Sequence, residues 1–147
     1  MESGKISLYS FLEGNSLLDI QTGLHLSKIA SSGVDKNIFA TGGKENDLKI
    51  WNLESEKPSV PVFIAKNIRH DFLELRVPVW IQDLVFMPQT SDIVATCSRY
   101  GHVRLYDAKA NRKNRPVVDI KFMDESCMSI SATKNDKCVP NDVTYDV

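Results

Sequence analysis

No run in this 147-residue chain approaches ~18 consecutive apolar residues, so no segment is long enough to cross a bilayer as a helix. The N-terminus is polar and charged, without the apolar core of a secretory signal. Cysteine is scarce: Cys97, Cys127 and Cys138 are odd in number and lack framework spacing, which excludes a disulfide scaffold. No Asn-x-Ser/Thr acceptor occurs. These absences suit a reducing intracellular compartment, and Cys97, beside a candidate strand, reads as an inert buried thiol. Histidine is equally sparse. His25, His70 and His102 each lack a second ligand at zinc spacing, so no metal site is expected. No Ser, Cys or Asp stands in a nucleophile context such as G-x-S-x-G. Thr41-Gly42-Gly43-Lys44 lacks both the spacing and the following helix of a phosphate-binding loop. A net charge of −1 provides no general attraction to nucleic acid or membrane. The expectation is therefore a protein with no catalytic residues, no cofactor and no small-molecule substrate.

What is present is a hairpin that recurs. Ile38, Phe39, Ala40 and Thr41 read as one strand; Leu48, Lys49, Ile50 and Trp51 read as another, alternating with period two. Gly42, Gly43 and Asn46 lie between them and suit a turn with positive φ. Shifting the chain by 55 residues lays Ile93-Val94-Ala95-Thr96 on Ile38-Phe39-Ala40-Thr41, and Val103-Arg104-Leu105-Tyr106-Asp107 on Leu48-Lys49-Ile50-Trp51-Asn52. Gly101 then falls on Asn46, and Pro116-Val117-Val118 on Pro61-Val62-Phe63. A shift of 42 lays Gly4-Lys5-Ile6-Ser7-Leu8-Tyr9-Ser10 on residues 46–52. Cys127, Met128, Ser129 and Ile130 continue the series as the opening strand of another unit.

Short strands repeating at about 40–45 residues, with a W-D-like dipeptide, are the signature of β-propeller blades. The units resemble WD repeats, with Trp51-Asn52 and Tyr106-Asp107 at the dipeptide. Thr41 and Thr96 match the strand hydroxyl of that family's polar tetrad, and Trp51 its tryptophan. Glu45 and Tyr100 replace the turn Asp, and no Gly-His pair precedes the opening strands, so the tetrad is eroded. The fold class expected is all-β: a partial WD-repeat propeller of about two complete four-stranded blades plus part-blades at each end, not a closed ring. A small independent sandwich is the alternative.

In order, residues 1–20 end one blade and 24–64 form the next. Residues 65–79 are an insertion: Pro61 to Ile81 spans 20 residues where Pro116 to Cys127 spans 11. Residues 80–122 form a further blade, which completes a partial propeller over 1–122. Residues 123–147 start another blade and then read as an irregular tail, with loop chemistry after Thr133.

Two features carry partner chemistry. The insertion sets Lys66, Asn67, Arg69, His70, Asp71 and Arg76 beside Phe72, Leu75 and Trp80, a composition found in binding hot spots and in RNA contacts that combine stacking with phosphate neutralisation. Solvated charges over packed apolar residues would give the same composition. The second, weaker feature is a basic loop: Lys109, Arg112, Lys113 and Arg115, with Arg99 and Arg104 nearby and Asp107 the one adjacent acid.

The run F-A-T-G-G-K-E-N-D-L-K-I-W-N-L, followed by A-K-N-I-R-H-D-F-L-E-L-R-V-P-V-W, resembles the WD-repeat ribosome-biogenesis factors of large-subunit precursor particles, the family of WD repeat-containing protein seventy-four and its fungal counterpart. The likeness covers roughly residues 1–122 and is specific in the insertion. It implies a non-enzymatic assembly factor, nuclear and nucleolar, that acts as a scaffold during rRNA processing. Its partners would be pre-ribosomal large-subunit proteins and rRNA, with an AAA-type ATPase as remodeller; no membrane and no cofactor are implied. The alternative function is a generic WD-repeat interaction scaffold, such as a ubiquitin-ligase substrate receptor.

Overall fold

A computed structural model describes residues 3–10, 12–66, 73, 75–110, 114–122, 124–134 and the backbone of 143–146. Among these residues twelve strands form four antiparallel sheets in chain order. The first pairs β1 (Lys5–Tyr9) with β2 (Ser16–Gln21). The second has the order β3 (Leu26–Ser31), β4 (Ile38–Gly43), β5 (Asn46–Asn52), β6 (Phe63–Ile64). The third repeats it with β7 (Ile81–Phe86), β8 (Ile93–Ser98), β9 (His102–Asp107) and β10 (Val118–Lys121). The last pairs β11 (Ser131–Lys134) with β12 (Val143–Asp146).

Each sheet is a meander of neighbours, and an apolar layer separates each from the next. Ile20, Phe39 and Trp51 join the first sheet to the second. Leu48, Ile50 and Phe63 meet Ile81, Leu84, Val94 and Tyr106 between the second and third. Ala95, Cys97 and Met87 meet Cys127 and Ile130 before the last. Because side chains alternate across a strand, one strand serves two layers: Trp51 faces backward and Ile50 forward. These are propeller blades, two complete and two half-built, and the described sheets do not close a ring.

The repeat extends to irregularities. Both complete opening strands carry a register shift, between Leu26 and Lys28 and between Ile81 and Asp83. Opening and second strands start twelve residues apart in all three cases: Leu26 and Ile38, Ile81 and Ile93, Ser131 and Val143. Strand β12 thus stands where loop chemistry was expected. The last opening strand starts at Ser131 rather than among 127–130, whose Cys127 and Ile130 are buried against the third sheet instead.

The turn of the reference hairpin corrects the sequence reading. Positive φ falls on Glu45 (49°), not on Gly42, Gly43 or Asn46. The two glycines belong to β4, and closeness is what requires them. A Cβ on Gly43 would sit 2.0 Å from the His25 carbonyl oxygen, and one on Gly42 2.8 Å from Ile81 Cδ1. In the next blade the left-handed residue is Gly101 (73°), one place later in the repeat.

Candidate interaction surface

The end of the insertion lands on the β4–β5 turn. Glu45 N–H donates to the Val79 carbonyl at 2.8 Å, and Val79 N–H to Glu45 Oε1 at 3.3 Å. Glu45 Oε2 pairs with Arg76 Nη2 at 2.9 Å, with both side chains about half exposed. Lys44 forms a bridge with Trp80, joining the two complete blades. Two cations lie over the half-buried Trp80 ring: Lys44 Nζ at 4.4 Å and Arg99 Cζ at 4.7 Å from its centroid. One end of the blades therefore presents Lys44, Glu45, Arg76, Trp80 and Arg99 together.

This arrangement follows from the repeat. Lys44 N–H donates to the His25 carbonyl at 3.0 Å, and Arg99 N–H to the Trp80 carbonyl at 2.9 Å. His25 and Trp80, like Lys44 and Arg99, are 55 residues apart, so the same backbone bond is made twice. Sequence reasoning missed Lys44, Glu45 and Arg99 as neighbours of Trp80, although the 55-residue offset carried the signal.

The turn also lines an open cleft of about 410 Å³, with Leu24, His25, Lys44, Asp47, Lys49 and Ile64 among its walls. Burial raises the Asp47 carboxyl above its ordinary range, against the pull of Arg76 and Lys49. Burial likewise lowers the Lys49 ammonium, opposed by Asp47. Lys49 Nζ donates to Asn46 Oδ1 at 2.8 Å and to the Thr22 carbonyl, so it holds the first half-blade to the second blade.

Of the other residues singled out in the insertion, Leu75 is exposed, and Lys66 is exposed with its N–H bonded to the Asn114 carbonyl at 2.9 Å. Asn114 Nδ2 donates in turn to the Ile64 carbonyl at 3.0 Å. Lys66, at the start of the insertion, is thus tied to the β9–β10 loop. Asn67, Arg69, His70, Asp71 and Phe72, and Arg112 and Lys113 in the loop, lie outside the described residues.

Among the described residues, Arg99 and Arg104 lie apart from the β9–β10 loop that carries Lys109 and Arg115. Arg99 lies at the opposite end of β9, over Trp80. Arg104 is buried on β9, its Nε 3.2 Å from Asp119 Oδ1 without hydrogen-bond alignment. Lys109 Nζ pairs with Asp92 Oδ2 at 2.6 Å, which holds the ammonium above its ordinary range. Arg115 is exposed. The acids that face these cations, Asp92 for Lys109 and Asp119 for Arg104, are supplied by other segments. Among the described residues no group of three or more His, Cys, Asp or Glu could hold a metal, and no helix is long and apolar enough to cross a membrane.

No family model matches the chain. WD repeat-containing protein 74 of Homo sapiens is 42% identical over 106 residues, which cover 72% of this chain and 26% of that protein. The chain belongs to the family of WD repeat-containing protein 74. Its Bos taurus relative is 38% identical over 117 residues, 80% of this chain and 29% of that protein. A fungal relative, ribosome biogenesis protein NSA1 of Meyerozyma guilliermondii, is 28% identical over 156 aligned positions, 92% of this chain and 39% of that protein. The chain thus spans between about a quarter and two-fifths of these family members. With this family the blades are those of a partial WD-repeat propeller. A solved structure, the computationally designed Ika8 protein, shares the fold with TM-score 0.68 at 16% identity, over 91% of this chain and 36% of that one.

Proposed function

We propose that this chain is part of a non-enzymatic assembly factor for the large ribosomal subunit, a propeller scaffold in nuclear and nucleolar pre-ribosomal particles during rRNA processing. Kinship with WD repeat-containing protein 74 and with the NSA1 proteins, which are named for ribosome biogenesis, is the observation that carries the reading. Residues 1–122 form the partial propeller of that factor, and 123–147 begin its next blade. Its partners are pre-ribosomal proteins and rRNA, and its remodeller is an AAA-type ATPase.

The contact surface is the insertion. Arg76 and Trp80, with Lys44 and Arg99 at the same end, combine an aromatic face with cations, as rRNA backbone and bases require. Lys66, Asn67, Arg69, Asp71 and Leu75 extend it along the chain. Lys109, Arg112, Lys113 and Arg115 are a weaker second contact, since Lys109 is already paired. In the intact protein, Arg69, Arg76 and Trp80 replaced together by Ala should lower co-sedimentation with large-subunit precursors, and the wild-type association should be RNase-sensitive. Unchanged association of a folded triple variant removes the insertion as the contact. Wild-type protein that sediments apart from particles removes the assembly reading itself.

A further inference from the structure

Three side chains form one row across the seam between the two complete blades. Continuing the β7–β8 register outward from Ile81 and Ser98 sets Trp80 directly opposite Arg99, and the Arg99 N–H bond to the Trp80 carbonyl at 2.9 Å keeps the two together. On its other side Trp80 is bridged to Lys44. Directly opposite residues of antiparallel neighbours project from the same face, so Trp80 stands in the middle with a cation on either flank. The distances agree: Lys44 Nζ lies 4.4 Å and Arg99 Cζ 4.7 Å from the ring centroid. Two strand spacings separate the flanking backbones, roughly 10 Å.

Both cations are exposed, and among the described residues neither is paired with a carboxylate, whereas Lys28, Arg76, Arg104 and Lys109 each face one. Glu45, the acid next to Lys44, is occupied by Arg76 and by the Val79 N–H. A base stacks on an open aromatic face, and here each flank of the ring already holds a cation. We propose that this row is a phosphate-backbone site: Lys44 and Arg99 each meet a phosphate of the RNA, and Trp80 holds the two cations in place instead of stacking on a base. The site rests on the rRNA reading above and narrows it, at this seam, from backbone and bases to backbone alone. Ordering two long side chains in advance removes part of the entropy that binding would otherwise cost. Such a contact fixes the position of the RNA without reading its sequence.

Two probes test this in the intact protein: inorganic polyphosphate, which carries phosphates and no bases, and a transcript of large-subunit rRNA. Lys44→Gln and Arg99→Gln together should weaken polyphosphate binding by about tenfold at low salt, with far-UV circular dichroism unchanged. With the transcript, each of the two substitutions should lower the slope of log K against log salt by about one. Trp80→Leu, which leaves both charges, should weaken binding with the slope unchanged, and Trp80→Phe, which restores a ring, should recover most of the loss. Wild-type tryptophan fluorescence should show no quenching by the transcript that Trp80→Phe removes. Quenching that Trp80→Phe does remove would make the ring a stacking platform and overturn the site, as would salt slopes untouched in the folded Lys44→Gln and Arg99→Gln proteins. Polyphosphate binding that depends on both cations, in a protein that sediments apart from precursor particles, would keep the site and remove the rRNA reading.

Discussion

The indole of Trp51 donates to Thr41 Oγ1 at 3.0 Å, across adjacent strands and out of reach of water. The hydroxyl and the tryptophan of the WD tetrad thus remain bonded although Glu45 stands at the turn position. In the next blade Tyr106 takes the place of Trp51, and Thr96 Oγ1 turns to the Arg104 carbonyl at a long 3.5 Å. Burial pushes the Tyr106 phenol up to about 12, so it stays protonated through neutral pH.

Thr41→Val keeps the shape of the side chain and strands the Trp51 N–H. A buried donor left without its acceptor costs about 1–3 kcal/mol, so urea unfolding followed by tryptophan fluorescence should show a loss of that size. Thr41→Ser, which keeps the acceptor, should lose less, as should Thr96→Val, whose hydroxyl bond is already long. Equal losses from Thr41→Val and Thr41→Ser would mean that packing of the Thr methyl, not the hydrogen bond, holds the pair.

The adjacent glycines of β4 should separate in a second series. Gly42→Ala places a methyl against the tip of Ile81, a side chain that can be shortened; Gly43→Ala places one against the His25 backbone, which cannot. Overpacking of the first kind costs about 1–3 kcal/mol. Ile81→Val removes the nearest atom and should recover a good part of the Gly42→Ala loss. It should recover none of the Gly43→Ala loss, which is expected to be the larger because β3 must move. The check is a double-mutant cycle by chemical denaturation.

These glycines also mark where sequence reading stops. Strand alternation and the 55-residue repeat were legible because the period-two pattern is local, and the blades follow from it. The role of Gly42 and Gly43 was not, because it is set by Ile81 of β7 and by His25 just before β3, which approach from elsewhere in the chain. The settings of Arg104 and Lys109 were hidden for a similar reason: Asp119 and Asp92 are distant from them in sequence and near in space. Strand β12 was hidden by Pro140 and by polar residues that read as loop, although the twelve-residue spacing from Ser131 to Val143 repeats that of the earlier blades. At the candidate site, Arg76 and Trp80 were readable from composition, whereas Glu45 and Arg99 reach them only through the turn-to-insertion bonds.

Asp83 should be the most pH-sensitive link between blades. Its Oδ2 accepts from Ile130 N–H and Ser129 Oγ at 3.1 Å each, and its Oδ1 from Leu84 N–H at 2.9 Å and Lys28 Nζ at 3.0 Å. Lys28, in the preceding blade, is its repeat equivalent. Burial by itself would raise this carboxyl, but the Lys28 ammonium and the Ile130 and Leu84 N–H groups outweigh burial and hold it below its ordinary value. A depressed folded-state value stabilises above the unfolded pKa and loses that contribution as pH falls through the folded one. Asp83→Asn should therefore cost about 2 kcal/mol at neutral pH. The gap from wild type should narrow as pH falls below roughly 4, where the wild-type carboxyl also takes up its proton. A gap that stays constant down to acid unfolding would assign the loss to geometry rather than charge.

Arg76 offers the cleanest separation of folding from function. Its pair with Glu45 is made by two half-exposed side chains, and such pairs contribute about 0–1 kcal/mol and are screened by salt. Arg76→Ala should leave the unfolding midpoint within that range, and the small difference should vanish in high salt. Trp80→Ala is less clean, since Trp80 is half-buried and its backbone ties both turns together. Loss of particle association in Arg76→Ala, at unchanged stability, therefore reports a contact made by the guanidinium. If Glu45→Gln lowers association equally, the positioning of the insertion on the β4–β5 turn is the operative feature; if Glu45→Gln leaves it intact or strengthens it, Arg76 is released toward the partner and its own charge is what the partner meets.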